Sequence, residues 1–166
     1  MRTDAVAASG RAPVRVAVSS GVRSSVPGPR AISQWVRLSA AGRVRKTMDL
    51  TLRVVGSAAG RALNRRYRGL DYPTNVLSFA APRATRLRDR HLGDLVICAP
   101  VVAREARQQG KSLRAHWAHL VIHGTLHLLG YDHQRMRDAQ RMERREVRLM
   151  RVLGYENPYG EPHVHR

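Results

Sequence analysis

Three histidines in the second half of the chain have the spacing of a metal site. His123, His127 and His133 follow the pattern HxxxHxxGxxH. On a helix, residues four apart lie on one face about one turn from each other, so the first two rings can reach one ion. Gly130 can adopt the left-handed conformation that ends a helix, which returns His133 as a third ligand. Three neutral imidazoles leave the fourth position of a tetrahedral zinc ion open to water, as in a catalytic rather than a structural site.

The residue after the first histidine separates this motif from that of a protease. In zinc proteases with the pattern HExxHxxGxxH, a glutamate at this position is the general base. Here the position is Gly124. The motif therefore predicts the metal ligands and disfavours peptide hydrolysis by the usual route. Three uncharged ligands also leave the ion its full double positive charge, which suits an anionic substrate such as a phosphodiester.

Two further histidines precede the motif and are rival ligands. His119 and His123 are also four residues apart, and His116 lies on the same stripe. The chain turns only after Gly130, so His133 can return to the last turns of the helix but not to the earlier ones. Along the helix axis, position 116 lies about 10 Å from position 123. We therefore predict one Zn²⁺ per chain, bound by the three motif histidines. His116 and His119 are predicted to be hydrogen-bonded interior side chains or groups that support the ligands.

The chain is strongly basic. Its formal net charge of +18 over 166 residues and its pI of about 11.7 exceed what solubility requires, and favour a polyanionic partner such as RNA or an anionic membrane surface. Nearly all basic residues are arginine, with only Lys46 and Lys111 as lysine. Genomic base composition is an alternative explanation of that bias, so charge alone favours nucleic acid only modestly. An aromatic fraction of 5% argues against a broad base-stacking platform.

Length and composition predict one cytoplasmic domain. The chain is long enough for a substantial core, and it contains neither an apolar run that could span a bilayer nor a signal-peptide core near the N-terminus. Cys98 is the only cysteine, which excludes an intrachain disulfide, and its apolar neighbours predict a buried strand position. The Arg-, Ser- and Ala-rich opening has the composition of a transit peptide, but alternating valines from position 14 predict a strand. We expect tails at 1–12 and 160–166, and a single domain at 13–159.

Apolar periodicity predicts alternating strands and helices without an internal repeat. Strands are predicted at about 14–18, 50–54, 76–79 and 94–98. The last is an almost uninterrupted apolar run, expected for a strand covered on both faces. Helices are predicted around 32–36, at 57–68, between Pro100 and Gly110, at 113–129 and at 136–153. The helix at 113–129 is apolar nearly all round and must be buried, whereas the Arg-rich segment 81–92 is predicted to be a loop.

The last predicted helix has an apolar and a basic face. Its inward side chains are predicted to be Met136, Ala139, Met142, Val147, Met150 and Leu153. Its outward side chains are predicted to be Arg135, Arg137, Arg141, Arg144, Arg145, Arg148 and Arg151. Three acidic residues, Asp138, Glu143 and Glu146, are interleaved with these arginines. A solvated face and an RNA-contacting face are therefore equal alternatives.

Four segments resemble the YbeY family of bacterial rRNA maturation endoribonucleases. They are Ala62–Phe79, Leu92–Cys98, Ala115–His119 and the HGTLHLLGYDH motif, within a resemblance that covers about residues 13–159. It implies an α+β fold in which helices surround a small mixed β-sheet and a zincin-like helix binds the metal. The activity implied is that of a zinc-dependent, single-strand-specific endoribonuclease in rRNA processing, including the small-subunit 3′ end, and in ribosome quality control.

The same resemblance assigns residue roles and partners. It places the metal ligands on the three motif histidines and a functional arginine on Arg68. A guanidinium can bind two non-bridging oxygens of a phosphodiester transition state at once, although without the resemblance a surface arginine is the simpler interpretation. The chain departs from the family at Leu70, where lysine is usual, and in the last helix, which is usually more acidic. The implied partners are ribosomal RNA and ribosomal particles, with no membrane and no DNA, and the oligomeric state is left open.

Two other functions are alternatives. One is a non-catalytic ribosome-assembly factor that uses zinc to brace an RNA-binding fold, and the other is a zinc peptidase of unusual mechanism. Within the nuclease interpretation, zinc hydroxide and the RNA 2′-hydroxyl are both candidates for the attacking group, and no residue is assigned as the general acid. Asp71, Asn75 and Asp94 are expected to hold loops by local hydrogen bonds, with catalytic roles as weaker possibilities.

Overall fold

The computed structural model describes residues 14–23 and 25–160. The predicted tail 1–12 and all but the first residue of the predicted tail 160–166 lie outside the described residues. The strands are β1 (Val14–Ser20), β2 (Met48–Val55), β3 (Val76–Ala80) and β4 (His91–Cys98). The helices are α1 (Pro29–Ala40), α2 (Ser57–Arg68), α3 (Arg83–Asp89), α4 (Ala99–Gln108), α5 (Leu113–Leu128) and α6 (Met136–Val152).

The four strands form one mixed sheet in the order β1-β2-β4-β3. β1, β2 and β4 are parallel, and β3 is antiparallel to β4 at the edge of the sheet. The predicted α+β fold, with helices around a small mixed sheet, is confirmed. None of the helices among the described residues has both the length and the apolar character needed to cross a bilayer.

One face of the sheet carries the main core. Alternate residues of β2 and β4, including Leu50, Leu52, Leu95 and Ile97, are fully buried with side chains of α1 and α5. The opposite face is covered only near the ends of these strands, where Val55 and Cys98 pack with Val101 of α4. Thr51 and Arg53 on that face are exposed. The expectation that β4 is covered on both faces is thus correct for its C-terminal half only, whereas the buried position of Cys98 is confirmed.

The central helix α5 has clear start and stop signals. Ser112 caps its N-terminus, since the serine hydroxyl accepts a hydrogen bond from the Ala115 amide at 3.1 Å. At its C-terminus, Gly130 has a φ of 95°, as predicted for a helix-ending glycine. The amide of Gly130 donates to the His127 carbonyl and that of Tyr131 donates to the Leu126 carbonyl, both at 3.0 Å. This is the hydrogen-bond pattern of a Schellman motif, which reverses the chain directly after the metal-site helix.

The predicted loop at 81–92 is wrong, because it contains the helix α3. No residue of α3 is buried, so the segment lacks the apolar stripe from which a helix is predicted. Arginine, alanine and leucine nevertheless have high helix propensity, which favours α3 in a connection between two strands. The Arg86 guanidinium donates to the Leu128 carbonyl at the C-terminal end of α5. α3 therefore contributes a positive charge to the negative end of the central helix dipole.

The inward face of α6 differs in part from the prediction. Met142 and Met150 are buried as expected, but Met136 is 79% exposed at the first turn, before the helix reaches the core. Leu149 is buried instead and was not assigned inward. Arg145, predicted to point outward, is half-buried and directed at the Ala41 carbonyl. The contacts of Glu146 are the largest departure and belong to the metal centre described below.

We predict that Gly93→Ala destabilises the fold. Gly93 has a φ of 151°, and a Cβ atom there would lie 2.4 Å from the Phe79 carbonyl oxygen and 2.7 Å from Leu128. Urea unfolding should show that the free energy of unfolding falls by about 2 kcal/mol or more. Gly21→Ala is the control, since its Cβ would meet only ordinary contacts and the change should stay within about 1 kcal/mol. Equal unfolding midpoints for the two variants would contradict the tight packing assigned to Gly93.

Candidate metal centre

The predicted ligands converge at the C-terminal end of α5. Nε2 of His123 lies 3.2 Å from Nε2 of His127, and Nδ1 of His133 lies 3.1 Å from the same His127 nitrogen. All three candidate ligand atoms lie within 4.8 Å of one another. His133 is fixed by the turn that contains Asp132, whose carboxylate accepts hydrogen bonds from the His133 and Gln134 amides. The structure therefore brings together all three histidines of the sequence motif.

Hydrogen-bond partners fix which ring nitrogens carry protons. Nδ1 of His127 lies 3.0 Å from the Tyr131 carbonyl, which can only accept, so this nitrogen is the donor. Nδ1 of His123 lies 2.6 Å from a Glu146 carboxylate oxygen and is likewise the donor. In the neutral rings, the two Nε2 atoms therefore present lone pairs to each other. An electropositive species between them is the arrangement that satisfies both.

These distances fit a tetrahedral metal ion. Zn–N bonds of about 2.0–2.1 Å at tetrahedral angles separate neighbouring nitrogens by about 3.3 Å. The observed separations of 3.2 and 3.1 Å agree with this value. Neutral imidazoles are ligands that zinc and other late transition metals prefer. The three histidines thus form a metal-capable site whose donor atoms already have suitable spacing.

The environment of His127 also favours its neutral, metal-binding form. Burial lowers the pKa of His127, and positive charge on His123 or His133 would lower it further. A ligand must be deprotonated at the coordinating nitrogen before a metal can bind. The lowered pKa keeps the central ligand of the triad ready for metal at neutral pH.

Glu146 supports this site and was wrongly assigned to the solvent-exposed face of α6. Its carboxylate is completely buried and accepts hydrogen bonds from His123 at 2.6 Å, from His119 at 2.8 Å and from the Tyr159 hydroxyl. Burial acts to raise its pKa, but the hydrogen bonds from the two histidines outweigh burial and lower the pKa to about 2. The group is therefore an anion that orients His123. Its position four residues from both Met142 and Met150, on the apolar stripe of α6, was the available signal.

The two other histidines of α5 are buried and hydrogen-bonded, as predicted. His116 contacts Glu105 at 2.7 Å, whereas His119 contacts Glu146. Burial lowers the pKa of His119. His119, His123 and Glu146 also have the proximity of a metal cluster. In that second group, however, both carboxylate oxygens already accept hydrogen bonds from the two histidines, so its geometry is satisfied without an ion.

Packing explains the glycine that replaces the protease glutamate. α5 lies against β3 and β4 at Gly124, where an added Cβ would be 2.8 Å from Leu95 and 3.3 Å from the Ser78 hydroxyl. That hydroxyl donates to the Gly124 carbonyl at 3.3 Å. Any side chain at this position would press against the sheet. Close packing of α5 on the sheet therefore favours glycine here.

A pocket of about 420 Å³ opens over the three ligands and includes Arg68 among its lining residues. Arg68 is the last residue of α2, which ends because Gly69 adopts a left-handed φ of 70°. Paired hydrogen bonds between Arg61 and Asp71 tether the following loop to α2. The buried Asn64 amide also donates to the Tyr72 carbonyl at 2.7 Å. The loop geometry thus presents Arg68 to the pocket that contains the histidines.

Asn75 lines the same pocket and is held on several sides. Its side-chain oxygen accepts from the Val76 amide at 2.6 Å, and its amide nitrogen donates to both oxygens of Glu105 at 3.1 and 3.2 Å. Glu105 in turn contacts His116. Asn75 therefore has the loop-holding role expected for it. Asp94, in contrast, contacts Thr51 and His91 and is not among the pocket-lining residues.

Comparison with known proteins identifies the family. The family model described as Endoribonuclease YbeY matches residues 29–154. The chain belongs to the YbeY family. Endoribonuclease YbeY of Stenotrophomonas maltophilia strain K279a is 49% identical over 159 residues, which are 90% of this chain and 97% of the relative. Endoribonuclease YbeY of Aromatoleum aromaticum is 46% identical over 160 residues, with 96% and 100% coverage.

A solved structure shares the fold of this chain. The solution structure of a Thermotoga maritima protein superposes with a TM-score of 0.58, covering 92% of this chain and 99% of that protein at 21% identity. The resemblance drawn from the sequence motifs is confirmed at the level of family and fold. Leu70, where the sequence predicts a departure from the family, is 40% exposed and lies two residues after the pocket-lining Arg68.

We predict that the metal is lost on His127→Ala and kept on His119→Ala. His127 belongs only to the triad, whereas His119 belongs only to the group that contains Glu146. Metal content per chain, measured by atomic emission after dialysis, checks this. Loss of metal in the His119 variant with retention in the His127 variant would show that the other cluster binds the ion.

We also predict that Glu146→Gln weakens metal binding by about 10- to 100-fold, because removal of a carboxylate that orients a ligating histidine has this effect. Competition with a chromogenic chelator measures the affinity. Glu143→Gln is the matched control, since Glu143 lies on the same helix and is exposed. Equal metal affinities of the Glu146→Gln and Glu143→Gln variants would contradict an orienting role for the buried carboxylate.

Proposed function

We propose that this YbeY-family chain is a zinc-dependent, single-strand-specific endoribonuclease that processes ribosomal RNA, including the 3′ end of the small-subunit RNA. We further propose that it acts in the cytoplasm on ribosomal particles and contributes to ribosome quality control. The observation that carries the proposal is the shared pocket, in which three convergent histidines and an arginine face one cavity. The names of its close relatives support the same activity.

In this proposal, His123, His127 and His133 hold one zinc ion. When bound, zinc supplies Lewis-acid chemistry. Glu146 fixes the proton of His123 on Nδ1, and the Tyr131 carbonyl does the same for His127, so that each ring directs its Nε2 lone pair to the ion. The protein thereby sets the ligand orientation before substrate arrives.

Arg68 is the proposed phosphate-binding residue. A phosphodiester gains negative charge on its non-bridging oxygens as it approaches the transition state, and a guanidinium can donate to two of them. Arg68 has no salt-bridge partner among the described residues, so its donors are available to a substrate in the pocket. Asn75, held by Glu105, is a further polar group on the pocket wall.

The two alternatives predict different behaviour. A zinc peptidase needs a general base near the scissile amide, and Gly124 supplies none. A non-catalytic assembly factor would use the metal only to brace the fold, so it would bind single-stranded RNA in the pocket without cleaving it. Incubation of single-stranded RNA with zinc-loaded protein tests the proposal directly. Metal-dependent products support the nuclease, and a 2′,3′-cyclic phosphate end would assign the attack to the RNA 2′-hydroxyl.

We predict that Arg68→Ala keeps the zinc and the fold but cleaves at least about a hundredfold more slowly, the range seen on removal of one transition-state donor. Arg68→Lys should give an intermediate rate, since lysine supplies the charge without the two-pronged geometry. Single-turnover cleavage of single-stranded RNA at saturating enzyme measures the effect, with zinc content determined for each variant.

Arg65→Ala is the matched control for this experiment. Arg65 is exposed on the same helix and is not among the pocket-lining residues. Arg65→Ala changes the net charge by the same amount as Arg68→Ala. Its single-turnover rate should stay within about twofold of the parental rate, since surface changes away from a site have small effects. If Arg68→Ala cleaves RNA as fast as the parent, Arg68 is not needed for catalysis, which would then depend on the metal and on other groups.

A further inference from the structure

The arginines of α6 form a straight row along one side of the helix. Arg137, Arg141, Arg144, Arg148 and Arg151 follow one another at intervals of four, three, four and three residues. These intervals keep all five side chains on one stripe about 21 Å long. All five are exposed, whereas the buried residues of α6, which include Glu146 and Met150, lie on the opposite side. We call this set the α6 arginine row.

The row is not neutralised within the described part of the chain. No salt bridge there involves any of its five members. Like charges three or four residues apart destabilise a helix by a few tenths of a kcal/mol per pair. Genomic base composition explains arginine in place of lysine, but it does not explain why five cations occupy one stripe without a carboxylate among them. A polyanion along the stripe would remove this repulsion.

Arg141, the second member of the row, packs on the ring of Tyr131 in the turn after α5. The guanidinium carbons of Arg141 and Arg43 each lie 5.5 Å from the centre of the Tyr131 ring, within cation–π range. All three side chains line a pocket of about 280 Å³. The Tyr131 carbonyl accepts the hydrogen bond from His127. Asp132 and Asp138 also line this pocket, so the positive charge of the row is partly offset where the row meets the turn after α5.

We propose that the α6 arginine row is a second RNA-binding surface, which contacts the phosphate backbone of the substrate beyond the segment held at the metal ligands. The inference rests on the proposed function for its substrate. The row lies outside the cleavage pocket, because no residue of α6 lines the cavity that contains Arg68 and the histidines. Its regular spacing suits a repeating backbone anion. Arginine contacts of this kind bind nucleic acid without reading its sequence.

The test compares two triple variants of the full chain. Arg144→Glu/Arg148→Glu/Arg151→Glu reverses the part of the row furthest from the metal centre. Arg30→Glu/Arg104→Glu/Arg107→Glu reverses three exposed arginines on α1 and α4 and changes the net charge equally. Fluorescence anisotropy measures binding of 2′-O-methylated single-stranded RNA across a salt series, and gel electrophoresis checks that the RNA stays intact. Two lengths of RNA are compared. The short RNA just fills the cleavage pocket, and the long RNA is longer by about 21 Å, which is the length of the α6 arginine row.

On the long RNA, the slope of log affinity against log salt should fall by about 2 in the α6 variant, since three phosphate contacts are lost at about 0.7 each. The control variant should keep the parental slope, and the short RNA should bind the parent and the α6 variant equally. Equal slopes for the two triple variants would overturn the inference, as would an unchanged slope in the α6 variant or an equal loss on the short RNA.

Cleavage of unmodified short RNA by the parent separates this inference from the proposed function. A parent that does not cleave this RNA but shows the row-dependent salt slope on the long RNA would overturn the nuclease assignment and support the second surface. If the parent cleaves the RNA but the parent and the α6 variant have the same salt slope, the second surface alone is overturned.

Discussion

The buried carboxylate of Glu146 is the interaction on which the geometry of the candidate metal centre depends. An ionised group in an apolar core is costly unless hydrogen-bond donors surround it. Here the donors come from two histidines of α5 and from Tyr159, after α6, so that α6 can dock in only one register. Met142, Leu149 and Met150 supply the apolar contact of that helix, and hydrophobic packing of this kind is not directional. The carboxylate adds the direction, and the orientation of the His123 ring follows from it.

The opposite side of α5 is fixed by close approach to the sheet. Gly124 allows the helix backbone to reach Ser78 of β3, and Gly93 allows β4 to accommodate Leu128 beneath the last helical turn. α5 is therefore held between a sheet that tolerates no added atom and a helix that supplies a charge. Arg86 of α3 binds the free carbonyl at its C-terminus. The ligands at this end of the helix gain rigid support from three different elements, which is what a precise site requires.

Local patterns were sufficient to predict most elements and the three ligand candidates. Alternating apolar residues predicted β1 and β2, a continuous apolar run predicted β4, and a glycine beyond each of α4 and α5 predicted where those helices end. The histidine spacing predicted the triad because two ligands lie on one helix and the third follows its stop signal. These features depend on residues within a few positions of one another, so the sequence contains them directly.

Other features depend on contacts between distant segments. Glu146 lies 23 residues after His123, and a glutamate among arginines has the pattern of a solvated surface until the helix is docked. Glu105, which itself contacts His116, supports Asn75 from 30 residues away. α3 was not predicted because all of its residues lie outside the core, so its sequence has no apolar periodicity. Charge and propensity identify the residue types in such cases, and only the packing decides their partners.

The ligands differ in how firmly the protein holds them, and this bears on the role of the ion. His123 and His127 belong to the buried helix, and each has a partner for its second nitrogen. His133 is exposed on the turn between α5 and α6, where the Asp132 carboxylate fixes its backbone. Without an ion, the nitrogen lone pairs of the first two rings oppose each other. An ion that binds all three histidines would therefore hold the exposed His133 against the two rigid rings. Because such an ion binds the folded chain more tightly than the unfolded chain, it would also stabilise the fold.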